Sequence, residues 1–337
     1  MAKTIRETIE DREEVWLSPY ACRSALSAGR DEPEEPCDIR TDFQRDRDRI
    51  LHCKAFRRLK HKTQVFLAPA GDHYRTRLTH TLEVAQIART ISRALSLNED
   101  LTEAIALGHD IGHTPFGHIG ERMLNSLCEE GFAHYTQSIR VVEKLEKDGK
   151  GLNLTREVRD GILNHRMSGH PSTMEGNVVR YSDKIAYINH DIDDAIRAGM
   201  LTESMLPSEL TDILGHSVRE RLNALIHSLI DNSLGQPELS MDSDMEEAML
   251  DMRRFMFNTV YTGSKAQEEE GKARNLIRRL YEYYMGHPEE MPEEYLNLVW
   301  IHGDSWSRVV CDYISGMSDD YAIHTFKKLF VPRSWEY

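Results

Sequence analysis

The sequence has 337 residues, of which 40% are apolar, so the chain is long enough to bury an ordinary hydrophobic core. Its net charge of -14 argues against a protein that coats DNA or membranes, because an acidic surface repels phosphate. The five cysteines are odd in number and form no CxxC pair, which favours a reducing compartment and argues against a disulfide framework. The N-terminus is charged, and no apolar run approaches the roughly 20 residues that cross a bilayer, so we expect a cytoplasmic protein without membrane contact.

The N-terminal part of the chain contains two charged segments of opposite character. Residues 30–38 are acidic, contain prolines and lack apolar anchors, so we predict a mobile loop without regular structure. Residues 40–62 carry nine basic residues against three acidic ones, so this stretch could receive an anion. The simpler interpretation is a solvated helix face with paired charges, and for a charge run alone we favour it.

Apolar residues at helical spacing dominate the sequence, and alternating strand patterns are scarce. Leu78, Leu82, Ala85, Ile91 and Leu95 indicate one buried stripe of a helix. Glycine and proline breakers divide the chain into about a dozen helices. We therefore predict an all-α fold.

A dense group of histidine and carboxylate residues is the strongest chemical signal. His80 lies on the predicted amphipathic helix. The thirteen residues 109–121, which begin 29 positions after His80, contain His109, Asp110, His113, His118 and Glu121. Imidazole nitrogens together with carboxylate oxygens suit a divalent ion such as manganese, iron, cobalt, nickel, zinc or magnesium. No thiolate belongs to the group, which disfavours a structural zinc cage.

The histidine segment must change direction for its ligands to meet. Adjacent residues on a helix project about 100° apart, so His109 and Asp110 share one ion only at a helix end or with converging side chains. Thr114 and Pro115 have the pattern of an N-cap and a first helical residue, which predicts that a new helix starts there. This reversal would turn His118 back toward His109.

A further carboxylate ligand should come from another part of the chain. Asp183 lies in NVVRYSDKIAYINHDIDDA, where Tyr187 and Asp191 follow on the same helical face. Cations near the proposed ligands are Arg77, Arg180 and Lys184. A metal ion with such cations suits a phosphate ester, since the ion polarises a phosphoryl oxygen and the cations neutralise developing charge.

Most of the other histidines are interpreted as ordinary hydrogen-bonded residues, which is the usual role of a lone histidine on a helix. They are His52, His61, His165, His170, His216, His227, His287 and His324. For His73 and His113 both a structural and a functional role stay open.

The arrangement H…HD…D is the signature of the HD superfamily of metal-dependent phosphohydrolases. Between residues 40 and 330, six ordered segments resemble the motifs of the deoxyguanosine triphosphate triphosphohydrolase family: FRRLKHKTQVF, RTRLTHTLEVAQIAR, GHDIGHTPFGHIGE, HYTQSIR, RYSDKIAYINHDIDDA and RVVCDYISGMSDDYA. We accordingly divide the chain into an N-terminal helical segment at residues 1–69, an HD-domain helical core at 70–200 and a C-terminal helical lobe at 201–337.

The resemblance implies hydrolysis of a deoxynucleoside triphosphate to the deoxynucleoside and tripolyphosphate, by attack of water at the α-phosphorus. It implies the metal ligands His80, His109, Asp110 and Asp183, with manganese or magnesium as the expected ion and iron, cobalt, nickel or zinc as alternatives. It implies the catalytic residues His118, Glu121 and His134. It also implies the substrate contacts Gln64 to the sugar hydroxyl, Arg77 and Lys184 to the phosphates, and Tyr187 and Asp191 around the deoxyribose.

The resemblance leaves base preference and regulation open. Tyr135 stands where asparagine or glutamate is more usual in the family. Family properties imply a homo-oligomer built from dimers, up to a hexamer, and a deoxynucleotide effector or single-stranded DNA as further partners. Two alternatives are an HD phosphohydrolase for another nucleotide (a 5′-monophosphate, an alarmone or a cyclic nucleotide) and a nucleotide-regulated protein that binds single-stranded nucleic acid without turnover.

Overall fold

The computed structural model describes residues 3–64, 75–260 and 264–332. Within these ranges the chain forms sixteen α-helices and no strand, with one isolated antiparallel bridge between Thr63 and Thr76. The predicted all-α fold is confirmed, and the helices outnumber the dozen expected because several are only five to eight residues long. In the described part of the chain, no helix has the length and apolarity that a membrane crossing requires.

The helices are numbered in chain order. They are α1 Ile5–Trp16, α2 Asp42–His52, α3 Lys54–Arg58, α4 Arg77–Ala94, α5 Glu99–Gly108, α6 Gly117–Leu127, α7 His134–Arg140, α8 Arg156–Asn164, α9 Met174–Arg197, α10 Ser208–Leu214, α11 Val218–Ser233, α12 Ser243–Val260, α13 Ser264–Gly286, α14 Glu293–Trp300, α15 Trp306–Ser315 and α16 Asp319–Phe330.

The start of α4 is defined by a capping box, and this sets the position of His80. The Thr76 hydroxyl accepts from the backbone N–H of Thr79 at 3.4 Å, and the Thr79 hydroxyl accepts from the backbone N–H of Thr76 at 3.0 Å. Such a box satisfies N–H groups that have no partner inside the helix. His80 is therefore held in the first turn of a well-defined helix, where its side chain is buried.

The larger hydrophobic core joins α2, α4, α5, α8 and α9, and α10 to α12 pack against it. Helix α4 lies against both α5 and α9 and buries Val84, Ala88 and Ile91. Full burial of a valine or isoleucine side chain contributes about 1.5–3 kcal/mol, so these contacts hold α4 firmly next to α9. The two helices that carry His80 and Asp183 are thereby fixed side by side.

The apolar stripe predicted for α4 is only partly correct. Ala85, Ile91 and Leu95 are buried and Leu78 is half-buried, but Leu82 is 49% exposed. Leu82 lies on the face of the helix that also carries the exposed Gln86. The buried face of α4 is turned away from this row because it must contact α5 and α9 at once.

A second hydrophobic core joins α6 to α13, α14, α15 and α16. Its centre includes Leu124, Ile277 and Ile314, and the rings of Tyr284 and Tyr313 meet edge to face with centroids 5.0 Å apart. The two cores do not separate at residue 200, since α10 to α12 belong to the first and α6 belongs to the second. The three-part division of the chain stays a prediction.

Two charged side chains connect the second core to the histidine segment. Lys62 is buried, and its Nζ donates to the backbone oxygens of His113 and Ser315, the latter at 2.7 Å. Asp319, the first residue of α16, accepts from the backbone N–H of Phe116 at 3.0 Å. Distant parts of the chain thus hold the turn that precedes α6.

The charged segments near the N-terminus pair largely with each other. Residues 30–38 contain no helix, as expected, but Arg30 is buried against Asp46 and Glu34 lies 2.6 Å from Arg45. Five of the nine basic residues between 40 and 62 face a carboxylate. The interpretation as an internally paired helix face therefore fits this stretch better than an anion-binding surface.

Candidate metal and phosphate site

Residues 109–116 form a non-helical connection between α5 and α6. Phe116 ends it in the left-handed region with φ 61°, and α6 begins with the next residue. The helix start predicted at Thr114 and Pro115 is therefore wrong. The Thr114 hydroxyl donates to the backbone oxygen of Gly117 at 2.9 Å, so it supports the turn and is not an N-cap acceptor.

Gly112 allows this connection to touch α7. A Cβ atom at this position would lie 2.2 Å from the backbone nitrogen of Ser138. The backbone N–H of Gly112 instead donates to the Ser138 hydroxyl at 3.0 Å, and that hydroxyl donates to the backbone oxygen of His109 at 2.9 Å. Close contact with α7 thus positions the backbone of His109, the residue before Asp110.

The four predicted metal ligands come together from three elements. Nε2 of His80 lies 3.1 Å from Oδ1 of Asp183, and Nε2 of His109 lies 3.5 Å from Oδ1 of Asp110 and 3.7 Å from Oδ1 of Asp183. One donor atom each from His80, His109 and Asp110 falls within 4.8 Å of the others. This is the spacing that a shared divalent ion requires.

His109 provides the test of whether a metal ion fits. Its Nδ1 donates to the backbone oxygen of Ala106 at 2.6 Å, so the proton of the neutral ring is on Nδ1 and Nε2 has a lone pair. This Nε2 is buried and has no hydrogen-bond partner among the described residues. A buried acceptor next to two carboxylates fits a divalent cation.

Both carboxylates are held in the ionised form. Burial alone would raise the pKa of Asp110, but His109, His113 and the Arg77 guanidinium, whose Nη1 lies 2.7 Å away, hold that pKa well below its usual range. Burial likewise opposes ionisation of Asp183, but the hydrogen bond from His80 together with the nearby His109 lowers its pKa below the usual range. Both groups are therefore anionic at neutral pH.

Arg77 contacts the proposed ligands directly. It is 2% exposed, its Nη1 pairs with Asp110, and its Nη2 donates to the backbone oxygen of Gln64 at 3.1 Å. It also lines the cavity described below. The residue expected to bind phosphate thus also fixes a proposed metal ligand.

Glu121 holds both predicted catalytic histidines. Its Oε2 lies 3.1 Å from Nδ1 of His118, and its Oε1 accepts from Nδ1 of His134 at 2.8 Å. Burial opposes its ionisation, but hydrogen bonds from the two histidines lower the pKa of Glu121 far below its usual range. An anionic side chain therefore orients two imidazoles next to the proposed metal ligands.

His165 and His113 belong to this site, although only His113 was left open as a functional residue. From the sequence, His165 is interpreted as an ordinary structural residue. In the structure, Nε2 of His165 lies 3.3 Å from Nε2 of His134, and the His165 ring packs against His109 with centroids 5.0 Å apart. Nε2 of His113 lies 3.2 Å from Oδ1 of Asp110, and its ring stacks on His134. Burial lowers the pKa of His165 to about 4, so this ring is neutral at pH 7.

A cavity of about 160 Å³ opens beside these groups. Its lining includes the predicted residues Gln64, Arg77, His80, Asp110, His118, His134, Asp183, Lys184 and Tyr187. Sequence reasoning missed Arg166, Met167 and Arg253, which also line it. Asp191 is buried two turns beyond Asp183 on α9 and is not among the described residues that line the cavity. His73 lies outside the described residues.

Positive charge is concentrated at this cavity. Burial and the nearby Arg180 guanidinium lower the pKa of Lys184 to about 8, and Arg253 acts in the same direction. Arg166 donates to the hydroxyl of Tyr135 at 2.6 Å and lies over its ring. The acidic protein therefore presents several cations around one cavity that also contains the proposed metal ligands.

A larger groove of about 770 Å³ lies elsewhere, between α1 and the start of α5. Two of its arginines, Arg89 and Arg93, pair with Glu99 of the same groove, the latter at 2.8 Å. The histidine-rich cavity is smaller, but it combines metal donors with cations, so we treat it as the functional site.

Comparison with known proteins identifies the class of protein to which this fold belongs. Residues 77–188 match the HD domain, and residues 239–328 match the phosphohydrolase-associated domain. A solved structure of a phosphohydrolase from Bacteroides thetaiotaomicron shares the fold, with a TM-score of 0.53 at 20% identity over 84% of this chain and 67% of that chain. The fold is that of an all-helical HD-domain hydrolase.

Relatives narrow the class to one family. A protein from Caldanaerobacter subterraneus subsp. tengcongensis is 60% identical over 98% of this chain and 97% of its own length. One from Clostridium perfringens is 51% identical over 98% of both chains, and one from Geobacter sulfurreducens is 40% identical over 97% of this chain and 98% of its own. All three are named deoxyguanosinetriphosphate triphosphohydrolase-like protein, and this chain belongs to that family.

Proposed function

We propose that this protein is a metal-dependent deoxynucleoside triphosphate triphosphohydrolase, which cleaves a dNTP to the deoxynucleoside and tripolyphosphate. One observation carries the proposal: the Nε2 of His109, which has no hydrogen-bond partner in the described part of the chain, and the ionised Asp110 and Asp183 adjoin a cavity rich in cations. Metal donors beside cations are what transfer of a phosphoryl group requires. The name of the relatives makes dGTP the first substrate to test.

The proposed metal ligands are His80, His109, Asp110 and Asp183. Nitrogen and oxygen donors favour manganese or magnesium as the ion and also accept iron, cobalt, nickel or zinc. When bound there, the ion would supply a Lewis acid that polarises a phosphoryl oxygen. All other steps are assigned to the side chains of the protein.

The triphosphate is proposed to lie against the cations of the cavity. Lys184, Arg166 and Arg253 reach it from three different segments of the chain. Burial is the main reason that the pKa of Lys184 is lowered, and crowding by like charges is the second. An anionic ligand would relieve this repulsion. Bound phosphate would therefore keep Lys184 protonated and would draw the three segments together.

Proton transfer is assigned to the histidines held by Glu121. The departing 5′-oxygen needs a proton, and the attacking water must lose one. His118 is half-exposed and His134 is mostly buried, and both rings line the cavity with Nδ1 facing Glu121. Each ring therefore directs Nε2 away from Glu121, where it can give or take a proton.

The sugar is proposed to contact Gln64 and Tyr187, which both line the cavity. Oε1 of Gln64 is buried and has no hydrogen-bond partner among the described residues, so it can accept from a sugar hydroxyl. A tyrosine ring packed against the deoxyribose leaves no room for a 2′-hydroxyl. Tyr187→Ala should therefore lower the preference for deoxynucleotides, and an unchanged ratio of deoxy to ribo turnover would refute this role.

The reaction itself is tested by incubating the protein with each dNTP and Mn²⁺ or Mg²⁺, and measuring both deoxynucleoside and tripolyphosphate. Asp110→Ala should abolish turnover, whereas Asp38→Ala, which removes an exposed carboxylate far along the chain from the ligands, should not. Release of pyrophosphate or inorganic phosphate alone, or no turnover of any dNTP, would contradict the proposal. Turnover of a monophosphate, alarmone or cyclic nucleotide instead would select the alternative substrate class.

The remaining partners stay predictions. A homo-oligomer built from dimers, up to a hexamer, would cover apolar surface such as Val15 and Trp16 of α1, which are 87% and 80% exposed. Internal pairing of the basic stretch at residues 40–62 does not favour single-stranded DNA there. A deoxynucleotide effector and a cytoplasmic location also stay predictions.

A further inference from the structure

His80 has a second contact that the proposed metal site does not explain. Its Nε2 faces Asp183, while its Nδ1 lies 3.4 Å from Nδ1 of His190, at the long end of hydrogen-bond distances. The two rings meet edge to face with centroids 5.6 Å apart. Both side chains are buried, so this contact between α4 and α9 is shielded from water.

His190 in turn contacts a carboxylate that is itself fixed. Nε2 of His190 lies 3.0 Å from Oε2 of Glu83, which sits one turn after His80 on α4. The Arg75 guanidinium holds Glu83 at 3.2 Å and is anchored to Asp194 at 2.8 Å. A continuous chain therefore runs from Arg75 through Glu83 and His190 to the proposed ligand.

Metal coordination allows one arrangement of protons along this chain with both rings neutral. A ring that uses the lone pair of Nε2 as a ligand keeps its proton on Nδ1, so His80 would donate to Nδ1 of His190. His190 would then carry its own proton on Nε2 and donate to Glu83. Each donor meets an acceptor, and the chain ends on a carboxylate.

We propose that His190 and Glu83 are positioning residues that fix the tautomer and orientation of His80 for the metal ion. A carboxylate behind a histidine ligand makes the ligand more basic and holds its ring in place. His109 receives equivalent support from the backbone oxygen of Ala106, which no side-chain substitution removes. The support of His80, in contrast, comes from side chains, so mutation can alter it.

The proposal rests on the metal site assigned above, but it does not depend on the identity of the substrate. The test accordingly measures Mn²⁺ binding to the full chain without nucleotide, by calorimetry or by the electron paramagnetic resonance signal of free Mn²⁺. His190→Leu should weaken binding about 10- to 100-fold, which is the usual effect of losing such a partner. Glu83→Gln keeps an acceptor but loses the charge, so its effect should be smaller.

Two variants separate positioning from packing. In His190→Asn the side-chain oxygen can stand near the former Nδ1 and accept from His80, so it should recover part of the affinity lost in His190→Leu. Glu103→Gln, which removes a carboxylate that pairs with Arg47 and Arg89, is the matched control for Glu83→Gln and should bind Mn²⁺ like the wild type. Thermal unfolding of the metal-free variants reports any loss of packing independently.

His80→Ala distinguishes failure of the inference from failure of the metal site. If His80→Ala abolishes Mn²⁺ binding while both His190→Leu and Glu83→Gln bind within twofold of the wild type, the positioning role is refuted. If His80→Ala binds Mn²⁺ normally, the assigned metal site is wrong and the positioning role falls with it. Weaker binding in His190→Leu with recovery in His190→Asn would support the role.

Discussion

Replacing Glu121 with glutamine tests whether one carboxylate holds both of the histidines proposed to be catalytic. Oε1 accepts from Nδ1 and from the backbone N–H of His134 at 2.8 and 2.9 Å, and Oε2 lies 3.1 Å from Nδ1 of His118. Glutamine has the same shape but offers one acceptor oxygen and no charge. The variant therefore loses its acceptor at one histidine and keeps only a neutral hydrogen bond at the other.

The expected loss follows from these two contacts. Hydrogen bonds to charged groups contribute about 1.5–3 kcal/mol, against about 0.5–1.5 kcal/mol for neutral ones. Loss of one contact and weakening of the other removes about 3 kcal/mol of orienting interaction. Because each 1.4 kcal/mol is a factor of about ten in rate, kcat should fall about 100-fold. KM should change by less than about threefold, since Glu121 is not among the described residues that line the cavity.

The assay is steady-state turnover of the preferred dNTP at saturating Mn²⁺. Glu129→Gln, at an exposed glutamate just beyond α6, is the matched control and should retain full activity. Mn²⁺ affinity should be unchanged in Glu121→Gln, because Glu121 is not a proposed ligand. If Glu121→Gln keeps kcat within threefold of the wild type, the assignment of His118 and His134 as its oriented partners is refuted.

Other regions predict effects on binding and stability. Arg253→Ala should weaken inhibition by tripolyphosphate about tenfold, because Arg253 lines the cavity. Arg254→Ala, which removes the neighbouring arginine that pairs with Asp251, should leave inhibition unchanged; equal inhibition constants for the two variants would exclude a phosphate contact by Arg253. Burial raises the pKa of Glu175 from 4.5 to about 7, so its contribution to stability is complete below pH 4.5 and is lost as the pH rises through 7, by about 3 kcal/mol. Denaturant titrations from pH 5 to 8 should show this slope, and Glu175→Gln should flatten it; parallel slopes would refute the burial argument. Gly112→Ala should lower the free energy of unfolding by about 1–3 kcal/mol, and unaltered stability would contradict the close contact with α7.

Features that depend on spacing within one helix could be predicted from the sequence. The helical periodicity was sufficient for the all-α fold, and the spacing of Asp183 and Tyr187 was sufficient to place both on one face of α9. The density of histidines at residues 109–121 marked the segment that the fold brings to the cavity. In each case the signal is local, because neighbouring residues alone determine which side chains share a face.

Features that depend on contacts between helices could not be predicted in this way. His165 follows α8 and His190 lies on α9, and no sequence spacing connects either residue with the ligand that it contacts. Arg253 reaches the cavity from α12, about seventy residues beyond Asp183 in the chain. Only the packing of α8, α9 and α12 brings these side chains together.

The errors in local prediction have physical causes of the same kind. Thr114 has the sequence pattern of an N-cap, but its hydroxyl donates to a turn carbonyl, so the helix starts later. Leu82 has the spacing of a buried residue, but α4 packs on two sides and leaves that row exposed. Tertiary contacts decided both positions against the local preference.

The contact between Asp319 and the backbone N–H of Phe116 affects how truncated genes should be judged. A stop codon after residue 304 would leave every proposed metal ligand and catalytic residue encoded, since all lie before residue 192. It would remove Asp319 and Ser315, which help to hold the turn between His113 and α6. A genome survey that counts only the ligand pattern would therefore score such an allele as functional, although the turn next to the proposed site has lost its support.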